Sequence, residues 1–140
     1  PEPANARPQT AAAADGGPPV VDEAAIAMAL QAMSREKLAT LVDAFLAQAP
    51  ETVQRLRAAV RDAQPLELRT NAHAAKGAAL NLGLTGLAAT AEALHEGAAH
   101  LPAHEVARLV QRYEELVPAT RTALQSLGVL RADSRPAVTR

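Results

Sequence analysis

The feature that most constrains the fold is an apolar repeat at helical spacing in the first half of the chain. Between Leu38 and Val60, apolar side chains recur every three or four residues, which places them on one face of a helix. They are Leu38, Leu41, Val42, Phe45, Leu46, Ala49, Val53, Leu56 and Val60. Hydrophobic residues make up 49% of the chain but aromatic residues only 1%, a composition that favours helices over sheets. We therefore predict an all-α protein.

Similar periodicity elsewhere predicts four more helices. A short helix after Val21 precedes the long one, and Ser34 is suited to cap the long helix, which Pro50 is expected to kink or split. Three more helices are expected from Pro65 to just before Gly83, over about 85–99, and over about 102–127, the last with a kink at Pro118. Since the connections are short, these segments predict an up-down antiparallel four-helix bundle with an additional short N-terminal helix.

The ends of the chain differ in composition from this helical region. Residues 1–19 contain five prolines among alanine, glycine and polar residues, which is typical of a flexible linker. We expect a domain over 20–130 and a disordered tail over 131–140. The chain opens with Pro1 and lacks a signal-peptide pattern, so we expect it to be part of a longer protein.

Charge and cysteine content narrow the classes of partner. With 14 basic and 15 acidic residues the net charge is −1, so we predict neither a nucleic-acid partner nor direct membrane contact. The chain has no cysteine, which excludes disulfides and cysteine zinc sites and suits a reducing, cytoplasmic compartment.

The segment from Asn71 to Leu84 carries the main candidate for chemistry. His73, Lys76 and Gly77 lie at spacings that share one face of a helix. Lys76 then places a positive charge beside the imidazole. A glycine within a helix costs about 1 kcal/mol relative to alanine, so Gly77 indicates a place where another molecule comes close.

This pattern resembles the histidine phosphotransfer (HPt) domain, whose motif reads approximately H-x-L-K-G-[SA]-x-x-x-[LI]-G. Ala75 stands where the family has leucine. The residues that carry the motif are His73, Lys76, Gly77, Leu82 and Gly83. The upstream segment is similar to the family's F-L-x-x-x-P-x-x-[LV]-x-x-L pattern, carried by Phe45, Leu46, Pro50, Val53 and Leu56. Many members carry a glutamate or glutamine facing the histidine from the next helix, and the nearest positions here are His95 and Glu96.

The resemblance implies a phosphorelay intermediate. His73 would accept a phosphoryl group from a receiver-domain aspartate and pass it to the receiver of a response regulator. Lys76 would balance the phosphoryl charge and Gly77 would allow close approach of the receiver. The expected partner-binding residues are Leu80, Leu84, His95 and Glu96.

The same resemblance implies a phosphocarrier rather than an enzyme, since the chain has no glycine-rich nucleotide box. It would have no cofactor of its own, and Mg²⁺ would come with the partner receiver. In isolation the chain is expected to be a monomer. Its parent protein is expected to be a hybrid sensor kinase, with this part in the cytoplasm.

Two alternatives stay open at this point. One is a bundle that docks on a receiver without transferring phosphate, and another is the phosphotransfer domain of a chemotaxis-type kinase. A sensor kinase's dimerisation domain is disfavoured, because His73 is followed by Ala74 and Ala75 rather than by an acidic residue and a proline.

A metal site is the last alternative, and we predict none. His95, His100 and His104 lie within ten residues of one another, but Pro102 is expected to place His100 outside the last helix.

Overall fold

The structure, a computed structural model, describes residues 20–131. The predicted linker 1–19 and positions 132–140 of the predicted tail lie outside the described residues. The described part contains helices and no strand, which confirms the all-α prediction. The helices are α1 Glu23–Ala32, α2 Arg35–Arg61, α3 Pro65–Asn81, α4 Thr85–Gly97 and α5 Ala103–Ser126.

The four longer helices form a closed bundle. Each of α2 to α5 packs on the next, and α5 packs back on α2, while α1 lies against α2. The ion pairs Arg57 to Glu114 and Asp43 to Arg121 join α2 and α5 in antiparallel register. The core is built from leucine, valine and alanine around the fully buried Tyr113. This is the predicted bundle with its additional N-terminal helix.

Two polar side chains set the helix starts near the N-terminus. The Asp22 Oδ1 accepts a hydrogen bond from the Ala24 amide at 2.9 Å, and the Ser34 Oγ accepts one from the Lys37 amide at 3.0 Å. The predicted cap at Ser34 is therefore confirmed.

Prolines inside α2 and α5 do not interrupt either helix. Pro50 lies within the continuous 27-residue α2, and Pro118 lies within the 24-residue α5. Both side chains are exposed, so neither proline ring lies in the core between the helices. Of the two outcomes expected for Pro50, a split of the long helix is wrong, because α2 continues without interruption from Arg35 to Arg61.

The turn between α3 and α4 is held by the N-terminal segment. Gly83 has φ of +78°, and a Cβ there would lie 3.0 Å from the Ile26 Cδ1. The Gly86 amide donates a hydrogen bond to the Val20 carbonyl at 2.9 Å, and a Cβ on Gly86 would lie 2.8 Å from that oxygen. These close contacts hold residues 20–26 across the α3–α4 hairpin, the part of the fold that carries His73.

Candidate functional site

Helix α3 presents His73 to solvent because its opposite side is a stripe of buried residues. Leu68, Ala72, Ala75 and Ala79 face the core. His73 lies one position beyond Ala72 and is exposed, as the helical spacing predicts.

Helix α4 runs antiparallel to α3 and supplies the opposite side of the site. The Lys76 Nζ lies 2.7 Å from the Glu92 Oε1, and the rings of His73 and His95 have centroids 5.4 Å apart, tilted by 43°. The pairing is antiparallel: Lys76 follows His73 by three residues on α3, whereas its partner Glu92 precedes His95 by three residues on α4. His95 is therefore the α4 residue whose ring faces His73, while Glu96 is more exposed.

Charges of both signs surround the two imidazoles. The Lys76 ammonium beside Glu92 is the main reason that the pKa of this carboxyl lies below its usual value. The Arg69 guanidinium lies 3.5 Å from the His95 Nε2. Both cations project from α3 and reach α4, so the site lies across the junction of the two helices.

Gly77 leaves open space one helical turn after His73. A Cβ placed on Gly77 would have no neighbouring atom of residues 20–131 within 4 Å, and its backbone is helical. In this described part of the chain, neither packing nor backbone conformation requires glycine here. The helix-propensity cost of about 1 kcal/mol is therefore not offset by any contact among these residues.

The two leucines expected in the docking patch lie in different environments. Leu80 is 53% exposed on α3, but Leu84 is fully buried. The prediction that Leu84 contributes to a surface patch is wrong, because α3 ends at Asn81 and the turn through Gly83 redirects the chain into the core. The spacing of four residues from Leu80 therefore does not keep Leu84 on the same face.

A groove of about 530 Å³ between α2 and α3 was missed by the sequence analysis. Phe45 on α2, predicted as part of the apolar stripe and of the F-L-x-x-x-P pattern, lies half-buried on its wall, opposite the small exposed side chains of Ala74 and Ala78. Its further lining residues are Leu41, Ala44, Gln48, Thr52, Arg55, Asn71, Ala75, Asn81 and Leu82. The sequence feature that could have indicated this groove is the pair Ala74 and Ala78, two small residues on the exposed side of α3 next to His73.

The other two histidines of the C-terminal half lie apart from this site. His100 lies in the turn between α4 and α5, and Pro102 directly precedes α5, as predicted. His104 is exposed in the first turn of α5, with its Nε2 3.8 Å from a Glu105 carboxylate oxygen. Within residues 20–131, no helix is long and apolar enough to cross a membrane.

Two comparisons with known proteins give matches for this chain. The model of the Hpt domain family matches residues 40–128. Among solved structures, the chain is similar to the crystal structure of histidine-containing phosphotransfer protein B (HptB) from Pseudomonas aeruginosa PAO1. The similarity has a TM-score of 0.67 at 25% sequence identity and covers 79% of this chain and 96% of that chain. The search of curated proteins gave no match.

Proposed function

Because this chain belongs to the Hpt domain family and is a histidine phosphotransfer module, we propose that His73 carries the phosphoryl group between two receiver domains. The donor is an aspartyl phosphate in one receiver, and the acceptor is the aspartate of a response regulator receiver. The observation that carries the proposal is the exposed imidazole of His73 on α3, one turn before the open surface at Gly77.

The chemistry needs little from this chain beyond a well-placed nucleophile. An unprotonated ring nitrogen of His73 attacks the phosphorus, the new N–P bond forms, and the bond from phosphorus to the aspartate oxygen breaks. The aspartate leaves as a carboxylate, and the other ring nitrogen of His73 keeps its proton. The receiver supplies Mg²⁺, which balances charge on the transferring group. The same step in reverse passes the group onward.

Lys76 is proposed to balance the charge of the phosphoryl group on His73. It projects from the next turn of the same helix, and its ammonium is held by Glu92 in the unphosphorylated protein. A lysine acts here as a flexible point charge, which suits a group that arrives and leaves.

The receiver is proposed to dock around His73 on α3. Leu80 and the α2–α3 groove at Phe45, Ala74 and Ala78 supply apolar surface on one side of the histidine. His95 and Glu96 supply polar surface on the α4 side. A transient complex of this kind buries about 1,200 Å² or less.

Labelling from a phosphorylated receiver tests the proposal. The chain is incubated with the receiver and Mg²⁺, and wild type is compared with His73→Gln and with the control His104→Gln, which changes an exposed histidine on α5. We expect an acid-labile, base-stable label on wild type and His104→Gln and none on His73→Gln.

Binding without labelling would point to a different role. If cognate receivers bind the wild type but never label it, the chain is a docking module and the phosphotransfer proposal is wrong. Label that persists on His73→Gln would place the phosphoryl group on another residue.

A further inference from the structure

Helix α4 places three metal-ligating side chains next to His73. His95 and Glu96 follow Glu92 by three and four residues, and each of the three offers one ligand atom within 4.8 Å of the others. A tetrahedral Zn²⁺ site separates its ligand atoms by about 3.4 Å, so modest side-chain rotation brings the three donors into range.

The two imidazoles have a separation that suits a shared ion. Two histidines bound to one tetrahedral zinc ion, with Zn–N bonds of about 2.0 Å, have ring centroids about 5 Å apart. The rings of His73 and His95 have centroids 5.4 Å apart. His73 is therefore within reach as a fourth ligand from the neighbouring helix.

His95 also has a free ring nitrogen. Its Nε2 lies 3.5 Å from Arg69, whereas its Nδ1 is buried and has no hydrogen-bond partner within residues 20–131. Buried polar atoms usually have a partner, and an imidazole lone pair is a common ligand for zinc.

We propose that Glu92, His95 and Glu96, together with His73, bind a divalent transition-metal ion such as Zn²⁺, and that this ion blocks phosphotransfer by occupying the lone pair of His73. Two imidazoles with carboxylates suit zinc and neighbouring metals better than Mg²⁺, which prefers oxygen ligands. The metal site follows from the geometry alone, and only the inhibitory effect depends on the phosphotransfer function proposed above.

Lys76 gives the site an unusual property. Its ammonium pairs with Glu92 at 2.7 Å in the metal-free protein, so metal and lysine compete for that carboxylate. Removal of the lysine charge is expected to tighten metal binding, although the same change weakens the proposed handling of phosphate.

Titration of the purified chain with ZnCl₂ by calorimetry tests the metal site without any phosphotransfer. We expect one ion per chain. Binding should be at least ten-fold weaker in His95→Gln and in Glu96→Gln, and several-fold tighter in Lys76→Ala. The control His104→Gln should bind zinc as the wild type does. Thermal denaturation of each variant shows whether it is folded. Absence of saturable binding, or equal binding by wild type and folded His95→Gln, would overturn the site.

A second measurement tests the role of His73 and the inhibition. His73→Gln is expected to weaken zinc binding. Zinc is expected to stop labelling of the wild type, and EDTA is expected to restore it when Mg²⁺ is kept in excess over EDTA, because EDTA binds Zn²⁺ much more tightly than Mg²⁺. To cancel any effect of zinc on the receiver, each variant's labelling rate with zinc is compared with its own rate in EDTA and excess Mg²⁺. His95→Gln should lose most of the inhibition. If His73→Gln binds zinc as wild type does, or if His95→Gln is inhibited equally, the regulatory part is wrong.

Discussion

The Lys76 ammonium lies 2.7 Å from the Glu92 Oε1, so the cation next to His73 is anchored to the neighbouring helix. The pair joins α3 and α4 at the level of the candidate site. Because the two side chains are 31% and 40% exposed, the pair contributes little to stability and its main effect is on the position of the lysine.

Replacement of Lys76 should slow phosphotransfer without abolishing it. The nucleophile remains in Lys76→Ala, but one positive charge near the phosphoryl group is lost, for which we expect a rate about ten-fold lower, or roughly 1.4 kcal/mol of activation free energy. Rapid-quench measurement of transfer from a labelled receiver gives this rate. Lys37→Ala, which changes the other lysine of the chain, on α2, is the control and should transfer normally. Equal rates for both variants would remove Lys76 from the site.

Substitution of Gly77 should separate stability from function. Gly77→Ala meets open space in a helical backbone, so the free energy of unfolding is expected to rise by about 0.5–1 kcal/mol. Phosphotransfer should nevertheless become slower, because the methyl group narrows the approach to His73. Urea denaturation and transfer kinetics measure the two effects. Thr70→Ala, another exposed change on α3 that raises helix propensity, should stabilise without slowing transfer.

Leucines on α3 and in the following turn should show three different effects. Leu80→Ala is expected to weaken receiver binding. Leu66 lies at the opposite end of the same helix and is 74% exposed, so Leu66→Ala should leave the affinity unchanged. Leu84→Ala should instead destabilise the fold by about 2–5 kcal/mol, because its side chain is fully buried. Calorimetric binding to a receiver and chemical denaturation distinguish these outcomes. A loss of affinity in Leu66→Ala equal to that in Leu80→Ala would contradict the proposed docking surface.

Two glycines with the same backbone conformation should differ in their tolerance of alanine. Gly83 and Gly128 have φ of +78° and +80°, so alanine costs about 1–2 kcal/mol of conformational strain at either position. Of the two, only Gly83 is crowded by side chains or backbone of residues 20–131, with Ile26 and the Ala25 carbonyl about 3 Å from a new Cβ. Gly83→Ala should therefore lower the melting temperature more than Gly128→Ala does. Equal losses would show that the packing of α1 on the turn adds nothing.

The buried hydroxyl of Tyr113 predicts a stability change in alkaline solution. Burial raises the pKa of Tyr113 to about 12, and in the unfolded chain the value is about 10. The unfolded state loses its proton first, so stability that is present below pH 10 falls as the pH rises from 10 through 12, by up to about 2 kcal/mol.

Comparison with Tyr113→Phe isolates this effect. At neutral pH the phenylalanine variant should be as stable as wild type or slightly more so, since the buried hydroxyl has no hydrogen-bond partner within residues 20–131. The difference in its favour should widen above pH 10, as measured by urea denaturation at each pH. A constant difference across this range would contradict the burial effect.

Most of the fold could be predicted because it depends on local patterns. The stripe Leu68, Ala72, Ala75 and Ala79 predicted which side of α3 is buried, and therefore that His73 lies outside. Gly83 predicted the end of that helix. Helical periodicity and turn chemistry are properties of neighbouring residues, so they are visible in a single sequence.

Predictions about surfaces were less successful where helical spacing was carried past a helix end. Leu84 was assigned to the patch of Leu80 by a spacing of four residues, but the turn between them breaks that relation. The groove beside Phe45 depends on how α2 and α3 pack, and residues of two helices separated along the chain cannot be placed together by periodicity.

The sequence by itself determined the helices, their buried faces and the exposed position of His73, because each follows from residues within a few turns of one another. Only the tertiary structure decided that His95 faces His73 and that Glu92 holds Lys76. It also brought ligand atoms of Glu92, His95 and Glu96 close together. These relations depend on the register and rotation of α4 against α3. That register is set by side-chain packing across the bundle and by the contacts of Val20 and Ile26 at the hairpin turn, which lie far from α3 and α4 in the sequence.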